Sequence, residues 1–250
     1  MALAAFVGLV AFDQRALSRP REEISLRLSP EELDAGFREG IEFHGLYRGE
    51  DKVGFMKLER RRDGAGYVLR HTTVFELGIG DGPTRLTVTT TLDEAFRLTR
   101  FSADAAGPVT AHASGTYGSG MLDVTLEGPL GPQTRQIAMP DPPAFDFSLA
   151  PIATRSDLQT GDRFRFTHFD PMTMSSAEGV VEMLGREEVD VLGEHVEAIH
   201  LRQTIAGQPM EMWVNELGEV LREQLPSGLL AVRESEAEAT WGLGGPASSR

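Results

Sequence analysis

The chain contains no cysteine among its 250 residues. This absence excludes disulfides, thiolate zinc sites, cysteine nucleophiles and acylation on a cysteine. It leaves the compartment open, because oxidising compartments permit disulfides without requiring them. Positive charge is scarce as well, with 24 Lys and Arg against 38 Asp and Glu and a formal net charge of -14. Nucleic acids are excluded as partners on that count, since their binders neutralise phosphates with clustered Lys and Arg. The one compact basic run, Arg60 to Arg62, adjoins Asp63-Gly64 and reads as a solvated loop. Long apolar runs are also lacking. Ala2 to Phe12 covers eleven residues, whereas a membrane-spanning helix takes roughly 20.

Several catalytic signatures are missing. The chain has no P-loop, no G-x-G-x-x-G, no H-E-x-x-H, no EF-hand loop and no G-x-S-x-G nucleophile elbow. Among the six histidines, His195 and His200 lie five apart in an expected strand. An odd spacing sends them to opposite faces unless a bulge intervenes. His168 and Asp170 are two apart and share a face, which suits an acid-base pair; Asp170-Pro171 equally suits a turn cap. The acidic runs "REEVD" and "ESEAEA" read as solvated charge. No metal site or cofactor is expected, and the chain reads as a non-enzyme.

The 40% hydrophobic and 25% charged content describes an ordinary globular protein. Ala2 to Phe12 has the length of a signal-peptide core, so residues 1–28 are expected to be the remnant of a signal or anchor with its connector. The alternative is a short apolar segment packed on the domain. Ser29-Pro30-Glu31-Glu32 is a capping box with proline at the first helical position, Gly40 is a C-terminal cap, and Leu33 and Phe37 form one apolar stripe. A short helix used as a lid or strap is predicted.

From Ile41 the pattern becomes period two with regular turn residues, which predicts a meandering antiparallel sheet. Strands are expected at about 42–48, 53–60, 67–77, 84–91, 96–104, 109–117, 121–127 and 134–139. After the proline-rich stretch Pro140 to Leu158, further strands are expected near 163–169, 179–189, 195–205, 209–214, 219–225 and 229–235. The fold class is therefore all-β and mainly antiparallel, a large curved or half-closed, barrel-like sheet with one or two short helices. Residues 29–240 form one β-rich domain, with possible halves 41–139 and 159–240 joined by a flap, followed by a flexible tail 241–250.

Methionine and phenylalanine concentrate in the second half. Phe164, Phe166, Phe169, Met172, Met174, Met210, Met212 and Trp213 are the candidate ligand-binding residues, because flexible thioethers and aromatic rings suit an irregular hydrophobic ligand. The same residues serve equally as core.

Three stretches, "GLYRGEDKVGF" (Gly45 to Phe55), "FDPMTMS" (Phe169 to Ser175) and "MWVNELGEVLREQLPSGLLAVRE" (Met212 to Glu234), resemble a β-rich domain of bacterial cell-envelope proteins. That domain often precedes a transglutaminase-like catalytic domain and is similar to uncharacterised periplasmic β-barrel-like families. The resemblance implies an exported protein with a broad curved sheet; without cysteine, no catalytic residue carries over. The plan also resembles the unclosed lipoprotein-carrier barrels. Three functions follow as expectations: a periplasmic, membrane-tethered protein binding a lipid or acyl group; an accessory domain docking an envelope protein, a transporter or a transglutaminase-associated assembly; and an unrecognised hydrolase centred on His168 and Asp170.

Overall fold

A computed structural model describes residues 24–25, 31, 34, 36–76, 82–108, 110–129, 131–139, 158–170 and 175–242. For 24–25, 166–170 and 175–176 it describes the backbone only. The strands are β1 (Ile24–Ser25), β2 (Gly40–Arg48), β3 (Asp51–Asp63), β4 (Gly66–Phe75), β5 (Thr84–Leu92), β6 (Leu98–Ala106), β7 (Ala111–Gly118), β8 (Met121–Glu127), β9 (Gln133–Ala138), β10 (Arg163–Asp170), β11 (Ser175–Val191), β12 (Glu194–Ile205), β13 (Gln208–Val214), β14 (Val220–Gln224) and β15 (Leu230–Glu234). One short helix, α1 (Glu236–Thr240), follows β15. The protein is all-β: a curved, unclosed antiparallel sheet, to which β1 adds a short parallel segment on β10.

Local chemistry explains the meander. Alternating apolar residues fit a pleated sheet with one face buried, and tight turns return the chain at each strand end. At Leu192-Gly193 and Ala206-Gly207 both turn residues have positive φ, 55° and 79°, then 50° and 79°. That is the hairpin geometry whose twist matches the strands, with glycine taking the second position at no steric cost.

The sheet order is β1-β10-β11-β12-β13-β14-β15-β2-β3-β4-β5-β6-β7-β8-β9. The last strand thus pairs with β2, from Leu230↔Tyr47 to Glu234↔Phe43, and joins the chain's two halves side by side. The neighbouring ladder is short: β14 and β15 pair only from Arg222↔Val232 to Gln224↔Leu230.

Register carries the two largest buried clusters to one face, called here the inner face. In the second half it holds Phe164, Val181, Met183, Ile199, Leu201, Met212 and Val214. In the first half Leu69, Phe101, Ala103, Ala113, Leu122 and Val124 lie on it. The connecting row runs Leu201↔Met212↔Glu223↔Ala231↔Leu46↔Gly54. Phe101 lies against Gly115 so closely that an added Cβ would sit 2.3 Å from the ring.

Two expectations change, and two others fall largely outside the described residues. The helix expected from the Ser29 capping box is described only at Glu31, Asp34 and Gly36, which are helical; Ser29, Pro30, Glu32 and Leu33 lie outside the described residues. Phe37, one end of the expected apolar stripe, is buried against Tyr67, with ring centroids 4.7 Å apart. Arg60 to Arg62 are not a loop: they continue β3 to Asp63, because β4 pairs with the strand to its end at Asp63↔Gly66, while β2 pairs with it as far as Arg60. "ESEAEA" is not merely solvated charge, since Ser235 and Glu238 form a reciprocal capping box that starts α1. Its Ala239 is buried, and Lys52 Nζ donates to the Glu238 carbonyl at 2.5 Å. The flap Pro140 to Leu158 lies outside the described residues except Leu158, which packs against the second-half cluster.

Candidate functional site

The expected ligand-binding set separates. Phe164, Val181, Gln203 and Met210 form one register row of the inner face, and Met183, Leu201 and Met212 form the next. Phe164, Met210 and Met212 therefore come together on one face. Trp213 does not join them, because adjacent residues of a strand point to opposite sides. Its indole stacks on His200, centroids 4.5 Å apart, beneath the Arg222 guanidinium at 5.1 Å, and Nε1 donates to Glu187. Val189, Val191, Ala198 and Leu221 complete that outer cluster, so Trp213 is a packing residue there. Phe166 and Phe169 are fixed by backbone register alone, opposite Gly179 and Ser176, while Met172 and Met174 lie outside the described residues.

The histidine candidates are likewise dispersed. His195 is exposed and pairs with Asp190. His200, on the other parity, lies 3.3 Å from carboxylate oxygens of both Glu187 and Glu211. Arg202, by its hydrogen bond to Glu211, and the nearby His200 hold that carboxyl below the usual range. His168 and Asp170 have described backbones only, opposite Ala177 and Ser175. No group of three or more metal-ligating side chains occurs among the described residues.

A different constellation emerges on the inner face, where β14, β15, β2, β3 and β4 meet. Alternation places Glu42, His44 and Leu46 together on β2, and Met56, Leu58 and Arg60 together on β3. Register adds Arg233 opposite His44 and His71 opposite Leu58. Three bonds organise this belt. Arg60 contacts Glu42 Oε1 at 2.5 Å, with side chains only 14% and 7% exposed. Arg233 donates to Glu219 at 2.8 Å. His44 Nε2 donates to the Val220 carbonyl at 2.9 Å. The last bond ties β2 to β14 across β15, just beyond the point where the β14–β15 ladder ends.

The belt's electrostatics follow from its burial. Desolvation pushes the His44 imidazole down to about 4, against the opposing pull of its bond to Val220, and Arg233, His71 and Arg60 lower it further. Burial alone would raise the Glu219 carboxyl; hydrogen bonds from Arg233 and Asn215, with the charges of Arg233 and Arg60, bring it below its ordinary value. Each anion therefore has a cation beside it, and His44 is neutral at pH 7. Glu42 Oε2 and Arg60 Nε are buried without a hydrogen-bond partner among the described residues. Such buried polar atoms are uncommon and costly.

Sequence reasoning passed over the belt because a charged run beside a turn suggests solvent. The signal that would have found it is parity: Met56, Leu58, Arg60 and Arg62 share one face, and Glu42, His44 and Leu46 another that β2–β3 pairing makes the same.

No family model and no curated protein matches the chain. Among solved structures, it is similar to the beta-barrel-like protein of domain of unknown function DUF1849 from Brucella abortus. The TM-score is 0.56 at 12% sequence identity, over 78% of this chain and 95% of that one. At this identity the likeness concerns the fold.

Proposed function

We propose that the chain is a non-catalytic, extracytoplasmic envelope protein that binds a hydrophobic ligand, a lipid or acyl group, against the inner face of its curved sheet. The observation that carries this reading is the continuity of that face: one unclosed sheet carries two apolar clusters on the same side, with Phe164, Met210 and Met212 among its rows. An apolar interior with a few convergent polar groups is the usual character of a small-molecule site. The signal-like run Ala2 to Phe12 supports export, with a tether through the N-terminus. Titration with fluorescent acyl probes tests the binding. Saturable uptake, reversed by unlabelled lipid and weakened in Met212→Lys, is expected; a correctly folded protein that takes up no probe refutes it.

A second reading, an accessory domain docking an envelope protein, rests on β9. This strand ends the sheet and is exposed along nearly its whole length, and among the described residues no strand pairs with its outer edge, the place where a partner strand adds. Cross-linking from Arg135 in the native host would capture a defined partner, and recovery of the monomer alone counts against it.

A further inference from the structure

The belt lies on the same face of the sheet as both apolar clusters. It holds two ion pairs: Glu42 with Arg60 at 2.5 Å and Glu219 with Arg233 at 2.8 Å. An anion entering beside Glu42 would meet a shielded carboxylate whose cation, Arg60, is already paired, which is expensive in a low-dielectric surrounding. The belt does retain unmet hydrogen-bonding capacity. Glu42 is 93% shielded from solvent, and its Oε2, an acceptor only, is unpartnered among the described residues. Arg60 Nε, a donor only, is in the same condition next to it. Both project from the face that carries the apolar clusters on either side.

We infer that this belt is the head-group subsite of an amphiphile with an uncharged, hydroxyl-bearing head, such as a monoacylglycerol, and that it discriminates against a free carboxylate or an anionic lipid. A hydroxyl supplies both complements: its O–H donates to Glu42 Oε2 and its oxygen accepts from Arg60 Nε. A carboxylate offers acceptors only, and it places a second anion beside Glu42. This inference rests on the ligand-binding reading above.

The test compares monooleoylglycerol, oleate and methyl oleate, which share one acyl chain, by calorimetric titration at pH 7.5. Wild type is expected to bind monooleoylglycerol at least about tenfold more tightly than oleate, since a buried charge or polar group left unmatched costs that much or more. The double variant Glu42→Leu/Arg60→Met removes the pair together, which avoids stranding one buried charge. With native circular dichroism, it should bind the glycerol ester and methyl oleate equally, within about twofold. Equal affinity of wild type for the three, a preference for oleate, or a double variant that keeps the wild-type preference overturns the inference. If none of the three binds wild type, the ligand-binding reading itself falls.

Discussion

Replacing His44 with glutamine keeps a side-chain N–H for the Val220 carbonyl and removes the titrating ring. In the folded protein the imidazole protonates only near pH 4, because it is buried beside Arg233 and Arg60, with His71 also facing it. Glu42 shares its strand face and Glu219 is held by the neighbouring Arg233. In the unfolded chain His44 recovers its ordinary value of 6.5. Between those values the unfolded state binds the extra proton, so stability falls as the pH drops from 6.5 towards 4 and is fully present above 6.5. Each pKa unit is worth about 1.4 kcal/mol, which gives a loss of about 2 kcal/mol between pH 7 and pH 5 and about 3 kcal/mol once the transition is complete. With His44 only 5% exposed, little solvent screening reduces this figure. Urea unfolding at pH 7, 6, 5 and 4 measures it. The lowered carboxyls of Asp34, Glu211 and Glu219 also cost stability in acid, at lower pH, and comparison with His44→Gln subtracts them. The variant's profile should be flatter by about 2 kcal/mol between pH 7 and 5. Parallel profiles for the two proteins would refute the assignment of a buried, neutral His44.

Three further outcomes are expected. Glu42→Gln leaves Arg60 buried beside a neutral group and should cost about 3 kcal/mol or more, whereas Glu42→Leu/Arg60→Met should come within about 1 kcal/mol of wild type; a Glu42→Gln loss under about 1 kcal/mol in urea unfolding would place the pair in solvent. Gly115→Ala drives a methyl into the Phe101 ring, so a loss of about 1–3 kcal/mol in thermal or urea unfolding is expected, and an unchanged midpoint would mean that the ring does not lie there. Ser235→Ala removes the α1 cap and should cost about 1 kcal/mol, with faster amide exchange at Ala239 than in wild type; unchanged exchange would detach the cap from the helix's stability.

Each strand expected after Ile41 corresponds to an observed one, from β2 to β15, because period-two alternation and turn residues are local signals. Phe101 and Ala103, or Leu122 and Val124, announce the buried side by spacing alone. The pairing of β15 with β2 was not legible, since these strands are far apart in sequence and nothing local encodes their register. The belt was lost partly for the same reason: parity places Glu42 and Arg60 on one face of the β2–β3 hairpin, but only the pairing of β15 with β2 sets them beside Glu219 and Arg233. Grouping Trp213 with Met212 followed composition, and the pleat separates them. The capping box at Ser235 was legible and was hidden by its acidic neighbours.

The central claim is that the inner face holds a hydrophobic ligand, and native mass spectrometry of protein purified without delipidation addresses it most directly. The account predicts a bound species of lipid mass that dissociates on activation and carries an acyl chain. A clean apo mass that does not change after incubation with monooleoylglycerol would contradict it.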